Sequence, residues 1–189
     1  MPAKVDLDPS KGVITITPNG SSAPIVIENV SIDRYRKILY APHSFFCYKD
    51  PRFDPHTFSC AAGRYSLSGK GCLYTAESIA AAQKEVSNFS DRDLFQVSTT
   101  DPIFYLDFVE MAKDFGITDL MTLHLSAGGW EPTQQIADYF TSQIGLTAIN
   151  VPSTKVDGGC MNFYADDRMP PGFLAPFKLS TTGTPMPES

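Results

Sequence analysis

Arg64, Tyr74 and Glu85 are the residues of this 189-residue chain whose types and spacing most clearly point to chemistry. Arg64 sits in a glycine-rich run, Gly63-Arg64-Tyr65-Ser66-Leu67-Ser68-Gly69-Lys70-Gly71, where a guanidinium can be held on a tight turn. Tyr74 closes the short run Cys72-Leu73-Tyr74, and Glu85 lies on the amphipathic stretch that follows. A fixed cation, an aromatic face and a carboxylate on successive elements suit a ligand with phosphates, a flat ring and a sugar. A dinucleotide has all three parts.

The elements that must position these groups are legible from patterning. Cys72–Tyr74 reads as a strand, and a helix is predicted from about Glu77 to Asn88, with Ile79, Ala82, Gln83 and Val86 as its core stripe. Glu85 falls about 100° off that stripe, on a flank shared with the small residues Ser78 and Ala81. Upstream, residues 13–17 and 25–30 alternate like strands around the Pro/Gly/Ser link 18–24 and predict a hairpin. Residues 32–40 read as a further strand or turn bearing Arg34 and Arg36, and 41–62 as an irregular loop over a cleft. Downstream, 94–97 and 103–109 are strand-like, and 107–115 is a candidate short helix. Pro132 in a first turn, then Ile136, Tyr139, Phe140 and Ile144, predict a helix stopped by Gly145. Strands are expected at 146–152 and 161–164, and the last twenty residues, with five prolines, as an extended tail.

Composition bounds the reading. Apolar content of 42% and charged content of 19% describe an ordinary globule of a size for one well-cored domain. A net charge of −6 argues against a nucleic-acid partner, though not against a small phosphate ligand that needs one or two local arginines. There is no apolar run of membrane-spanning length and no apolar signal core after Met1, so no membrane partner and a cytoplasmic location are expected. Cys47, Cys60, Cys72 and Cys160 form no CxxC pair and are expected as reduced thiols. His43, His56 and His124 are not at ligand spacing with them, so no metal is expected.

Three blocks together resemble the RES-domain family, named for an arginine, a glutamate and a serine. The first is Arg34-Tyr35-Arg36-Lys37-Ile38, similar to the family's early Tyr-Arg-aliphatic strand. The second runs from Gly63-Arg64-Tyr65 through Gly71, Leu73-Tyr74 and Ser78 to Glu85. The third is Ala148-Ile149-Asn150-Val151-Pro152-Ser153, then Gly158-Gly159 and Asn162-Phe163. The position of Tyr65 is often tryptophan in the family, and the insertion between the first two blocks is longer than usual. The resemblance implies an α+β fold related to ADP-ribosyltransferases, a split antiparallel sheet with flanking helices around an NAD cleft. The expected division is an N-terminal β-hairpin extension (1–30) and a proline-rich tail (170–189), both outside the resemblance, around a RES-like catalytic domain (31–169).

It also implies an activity: an NAD⁺-consuming toxin that cleaves the nicotinamide–ribosyl bond as a glycohydrolase or phosphorylase. Transfer of ADP-ribose to a target protein and a non-catalytic nucleotide-binding module are the alternatives. NAD⁺ would be substrate, and an antitoxin or immunity protein would occlude the cleft; a homodimer and delivery into another cell stay open. Cleavage builds positive charge on the ribose, so a carboxylate is needed near the anomeric carbon. Glu85 is the candidate, against the plain reading of a solvated helix acid. Arg36 and Arg64 would grip the pyrophosphate, with Arg34 as the alternative to Arg36 and a turn arginine bonded to local carbonyls as the alternative for Arg64. Tyr74, and less so Tyr65, would stack on nicotinamide or bond its ribose, or else be core tyrosines. Ser153 would bond nicotinamide or its ribose, since no histidine stands in a motif that would make it a nucleophile. Asp91-Arg92-Asp93 and Asp166-Asp167 read as solvated loop charges, and Trp130 as the cap of a hydrophobic cluster.

Overall fold

The computed structural model describes residues 4–8, 11, 13–17, 24–28, 32–52, 58–61, 63–86, 91–117, 130–143, 145–153, 155–156, 159–164 and 174–179, and among these residues there are three sheets and four short α-helices. Together they make one α+β domain. Strands β1 (Lys4–Asp8), β2 (Val13–Thr17) and β3 (Ile25–Ile27) form an antiparallel sheet in that order. The expected hairpin is thus β2–β3. The extra strand β1 was not among the expected elements, although Lys4-Val5-Asp6-Leu7-Asp8 alternates charged and apolar residues as a strand does.

The central sheet has five strands. In spatial order they are β4 (Arg36–Leu39), β8 (Ile103–Asp107), β9 (Ala148–Pro152), β10 (Gly159–Tyr164) and β6 (Cys72–Tyr74). Its pairs are antiparallel except β8–β9, which is parallel. The third sheet orders β11 (Leu174–Leu179), β7 (Asp93–Thr99) and β5 (Ser44–Lys49), all antiparallel. The two larger sheets meet where Phe46 and Ala76 exchange backbone bonds of 2.8 and 2.9 Å, just past the end of β6. The sheet is split in this sense, with one parallel pair inside it.

Strand alternation divides the core. On β10, Met161 and Phe163 join Phe45, Leu73, Val97 and Ala148 between the two larger sheets, and the Phe45 and Phe163 rings meet nearly edge-on at 5.3 Å. Cys160 and Tyr164, one residue out of phase, belong to the core under the helices, with Leu106, Phe108, Met111, Ile136 and Phe140. Those helices are α1 (Ile32–Tyr35), α2 (Ile79–Glu85), α3 (Phe108–Asp114) and α4 (Glu131–Asp138). Asn162 shares the phase of Cys160 and Tyr164 and is fully buried.

Several expectations are met with shifted ends. The predicted helix 77–88 is α2, capped by Ser78 Oγ, which accepts from Ala81 N–H at 3.1 Å. Ala82 is buried in it, Ile79 and Val86 pack against the core, and Gln83 donates to the Tyr48 hydroxyl. The helix from Pro132 ends as a π-helical turn, Tyr139–Gln143, before Gly145 at φ 77°.

Others are corrected. Residues 41–62 are not wholly irregular: β5 runs through them, and its Ser-Phe-Phe-Cys-Tyr-Lys sequence lacks alternation because both its faces are covered. Arg34 and Arg36 do not share a strand face. Arg34 is in α1 and β4 begins at Arg36. Within the expected tail, residues 174–179 form β11, whose Pro176 is tolerated because the strand lies at a sheet edge. His56, His124 and Asp166-Asp167 lie outside the described residues.

Candidate functional site

The turn that bears Arg64 is anchored from behind by α4. Gly63 and Ser66 exchange backbone bonds, Gln134 Nε2 donates to the Gly63 carbonyl at 2.7 Å, and the Thr133 hydroxyl donates to the Arg64 carbonyl. With its backbone held this way, the Arg64 side chain is left to line a cavity of about 800 Å³. A side chain at position 63 would drive its Cβ into the Tyr74 hydroxyl, which is why the turn starts on glycine.

Tyr74 presents its partly exposed ring to the same cavity. Its hydroxyl pairs with Ser66 Oγ at 2.9 Å and accepts from Tyr65 N–H at 3.4 Å. Burial pushes this phenol up to about 12, so it stays protonated at neutral pH. Tyr65 is 2% exposed, and its hydroxyl donates to the Pro152 carbonyl at 3.3 Å. It therefore underpins the strand end that presents Ser153, and burial raises its phenol further still.

Glu85 is the last residue of α2 and Ser153 the first after β9. The Ser153 hydroxyl donates to Glu85 Oε1 and accepts from the backbone N–H groups of Lys155 (2.9 Å) and Val156 (3.1 Å). Its single donor and both acceptor sites are thus in use, which fixes the hydroxyl proton on the carboxylate side. Lys155 Nζ donates to the Glu85 carbonyl at 2.9 Å, placing a cation at the negative end of α2. Both Glu85 and Ser153 line the cavity.

Cys160 stands beside this pair. Burial first, and then the neighbouring Glu85 charge, pushes its thiol up to about 12, so it is not a thiolate nucleophile at neutral pH. Among the described residues, no histidine lines the cavity. The chemistry on offer is that of a fixed carboxylate acting near a cation-lined, aromatic pocket.

Arg64, Tyr65, Tyr74, Glu85 and Ser153 are thus brought together across three separate segments. Arg36 is not. It is exposed on β4, the strand farthest from β6 across the central sheet, and its guanidinium stacks over the Phe104 ring at 4.3 Å. Arg34 pairs with Asp114 at 2.7 Å. Neither lines the cavity, because the strand and helix that hold them lie at the opposite edge of the sheet.

Three cavity residues were passed over in the sequence. Arg92 lies in the Asp91-Arg92-Asp93 run that read as solvated, Trp130 read as a cap, and Asn162 was part of a motif but received no role. Nothing local distinguishes Arg92 or Trp130; β7 and α4 bring them to the rim only in the folded chain. Asn162 had a signal, a polar residue in the otherwise apolar run Cys-Met-Asn-Phe-Tyr.

Fold and cavity define an α+β domain with a carboxylate–serine pair facing an arginine and aromatic rings. The chain belongs to the RES domain family, whose model matches residues 40–181, about three quarters of the sequence. The match begins after Arg34 and Arg36, so the first of the three blocks falls outside it. The family is associated with NAD-utilising enzymatic toxins that pair with antitoxins, and at that level the chain is a toxin-like, NAD-related module. No curated protein and no solved structure matches it. Among the described residues no helix is long and apolar enough to cross a membrane, and no three His, Cys, Asp or Glu side chains are grouped to hold a metal ion.

Proposed function

We propose that this chain cleaves the nicotinamide–ribosyl bond of NAD⁺ and so depletes the dinucleotide. The observation that carries the reading is the hydrogen bond from Ser153 to Glu85, which sets a carboxylate into a cavity that also holds Arg64 and Tyr74. As the C–N bond breaks, its electron pair leaves with nicotinamide, which becomes neutral, and positive charge builds on the ribose. Glu85 would stabilise that charge. Water or phosphate then adds to the anomeric carbon; with water, the products are ADP-ribose, nicotinamide and a proton.

Arg64 would hold the pyrophosphate through paired donors. Arg92, on the same cavity, supplies the second cation in place of Arg36. The neutral Tyr74 phenol and the Trp130 ring offer apolar faces for the flat ring, and Tyr65 holds Ser153 in position through Pro152. Protection of the host follows from a partner that covers the cavity. Because the chain carries a net charge of −6, a basic contact surface suits that antitoxin.

The test is nicotinamide release from NAD⁺ by purified protein, with and without phosphate and with and without lysate protein. Release in buffer alone supports hydrolysis, release that needs phosphate supports phosphorolysis, and ADP-ribose label on lysate protein supports transfer. No release under any condition by the wild-type chain removes the enzymatic reading.

A further inference from the structure

Asn162 is fully buried, yet among the described residues neither its amide nitrogen nor its amide oxygen has a hydrogen-bond partner of good geometry. The Tyr164 hydroxyl is a weak hydrogen-bonding neighbour of Asn162, but it donates to the Tyr65 carbonyl at 3.0 Å and its contact with the amide falls outside good hydrogen-bond geometry. Buried side-chain amides are almost always satisfied, because an orphaned donor and acceptor forfeit their bonds to water without replacement. The backbone gives no reason for it: β10 pairs here in regular register, Asn162 opposite Tyr74 on one side and Ile149 on the other. An apolar residue would suit the stretch of core better. Asn162 is among the residues that line the cavity, although its side chain is closed off from solvent.

A side-chain amide offers one donor face and one acceptor face in a plane, and its natural complement is another primary amide. The ligand of the reading above has one, the carboxamide of nicotinamide. It has a second candidate in the adenine edge, which asparagine also pairs through two bonds. Position decides between them. Cys160, whose thiol stands against Glu85 and Ser153, is two residues before Asn162 on the same face of β10. That places the two side chains about 7 Å apart along the strand. The nicotinamide carboxamide lies four bonds from the anomeric carbon, a comparable reach, whereas adenine is separated from that carbon by both riboses and the pyrophosphate. Tyr74, directly across from Asn162 and itself partly exposed, is the side chain whose movement would admit the ring.

We propose that Asn162 recognises the carboxamide of nicotinamide by a reciprocal pair of hydrogen bonds, and so selects the leaving group; this rests on the NAD⁺-cleaving reading. Asn162 acts as a positioning and specificity residue, while the charge stabilisation stays with Glu85.

The experiment is binding of free nicotinamide and of 3-acetylpyridine, its methyl ketone counterpart, to the full chain by calorimetry. 3-Acetylpyridine keeps the ring and the acceptor but has no amide N–H. Wild type should prefer nicotinamide by about tenfold or more, the worth of one well-made buried hydrogen bond. Asn162→Leu, similar in volume, should bring the two ligands within about threefold while unfolding at the same or a higher temperature. Cleavage of NAD⁺ and of its acetylpyridine analogue should show the same change in kcat/KM ratio.

Equal affinity of wild type for the two ligands, no binding of either, or a leucine variant that keeps the preference would overturn the proposal. So would a leucine variant that loses discrimination between adenosine and inosine instead. If the leucine variant does not fold, the wild-type preference decides. Wild-type protein that binds nicotinamide selectively but releases none from NAD⁺ defeats the cleavage reading and leaves the Asn162 assignment standing, so the two fail separately.

Discussion

The Ser153 hydroxyl donates to Glu85 Oε1 and so ties the end of α2 to the end of β9 across 68 residues of sequence. Because the same hydroxyl accepts from the backbone N–H groups of Lys155 and Val156, its orientation is set by the backbone as well as by the acid. Glu85→Gln keeps the shape and removes the charge, and should lower the rate of nicotinamide release by about a hundredfold or more. Ser153→Ala should lower it by about tenfold, as the carboxylate loses one hydrogen bond and its fixed rotamer. A Glu85→Gln variant within twofold of wild type would show that the acid is structural.

Arg64 and Arg36 separate cleanly. Arg64→Ala removes a cation from the cavity while Thr133 and Gln134 still hold the turn through its backbone. KM for NAD⁺ should rise about tenfold or more, as for loss of a charge-assisted phosphate contact. Arg36→Ala, exposed and stacked on Phe104, should leave KM unchanged. Equal effects from both substitutions would place the phosphates elsewhere.

Gly63 is held to glycine by the Tyr74 hydroxyl. Gly63→Ala should destabilise the fold by about 1–3 kcal/mol, the usual range for overpacking. Tyr74→Phe takes away the atom that an alanine Cβ would strike, so the double variant should be more stable than the sum of the single effects implies. Urea denaturation of the four proteins measures this, and strict additivity would mean that the clash is relieved by backbone movement.

Base should unfold the protein before mild acid does. Burial pushes the thiols of Cys72 and Cys160 up to about 12 and that of Cys47 to about 11, from an ordinary value of 9.0. Their contribution is fully present below the unfolded value. Between pH 9 and the folded values the native state holds protons that the unfolded chain has released, so stability falls as pH rises, by up to about 1.4 kcal/mol per pH unit for each thiol. Thermal unfolding at pH 7, 9 and 10.5 should show a steep drop confined to the last interval. A flat profile would mean that the thiols are more solvated than their burial implies.

Much of this was legible before folding. The Gly63–Gly71 turn, the strand ending in Tyr74 and the helix carrying Glu85 could be read because each is local: glycines that allow a turn, an apolar triplet, and a stripe at helical spacing. Pro152-Ser153 could be matched to the same family for the same reason. The helix end was less clear, since α2 stops at Glu85 where Lys155, distant in sequence, caps it.

What the residues could not state by themselves is which of them meet. Arg36 matched a motif but ends at the far edge of the central sheet, because strand order is set by β8 and β9 packing between it and the cavity. Arg92 and Trp130 looked ordinary and became cavity residues, because β7 and α4 bring their loops to one rim. The β5 strand hid in an unpatterned aromatic stretch, since burial on both faces erases the alternation that marks a strand. The sequence by itself determined the chemical inventory, an acid, an arginine, tyrosines and a serine on predictable local elements. Tertiary structure alone decided the constellation, because the distance between groups on different elements depends on sheet order and packing, and neither is written in local spacing.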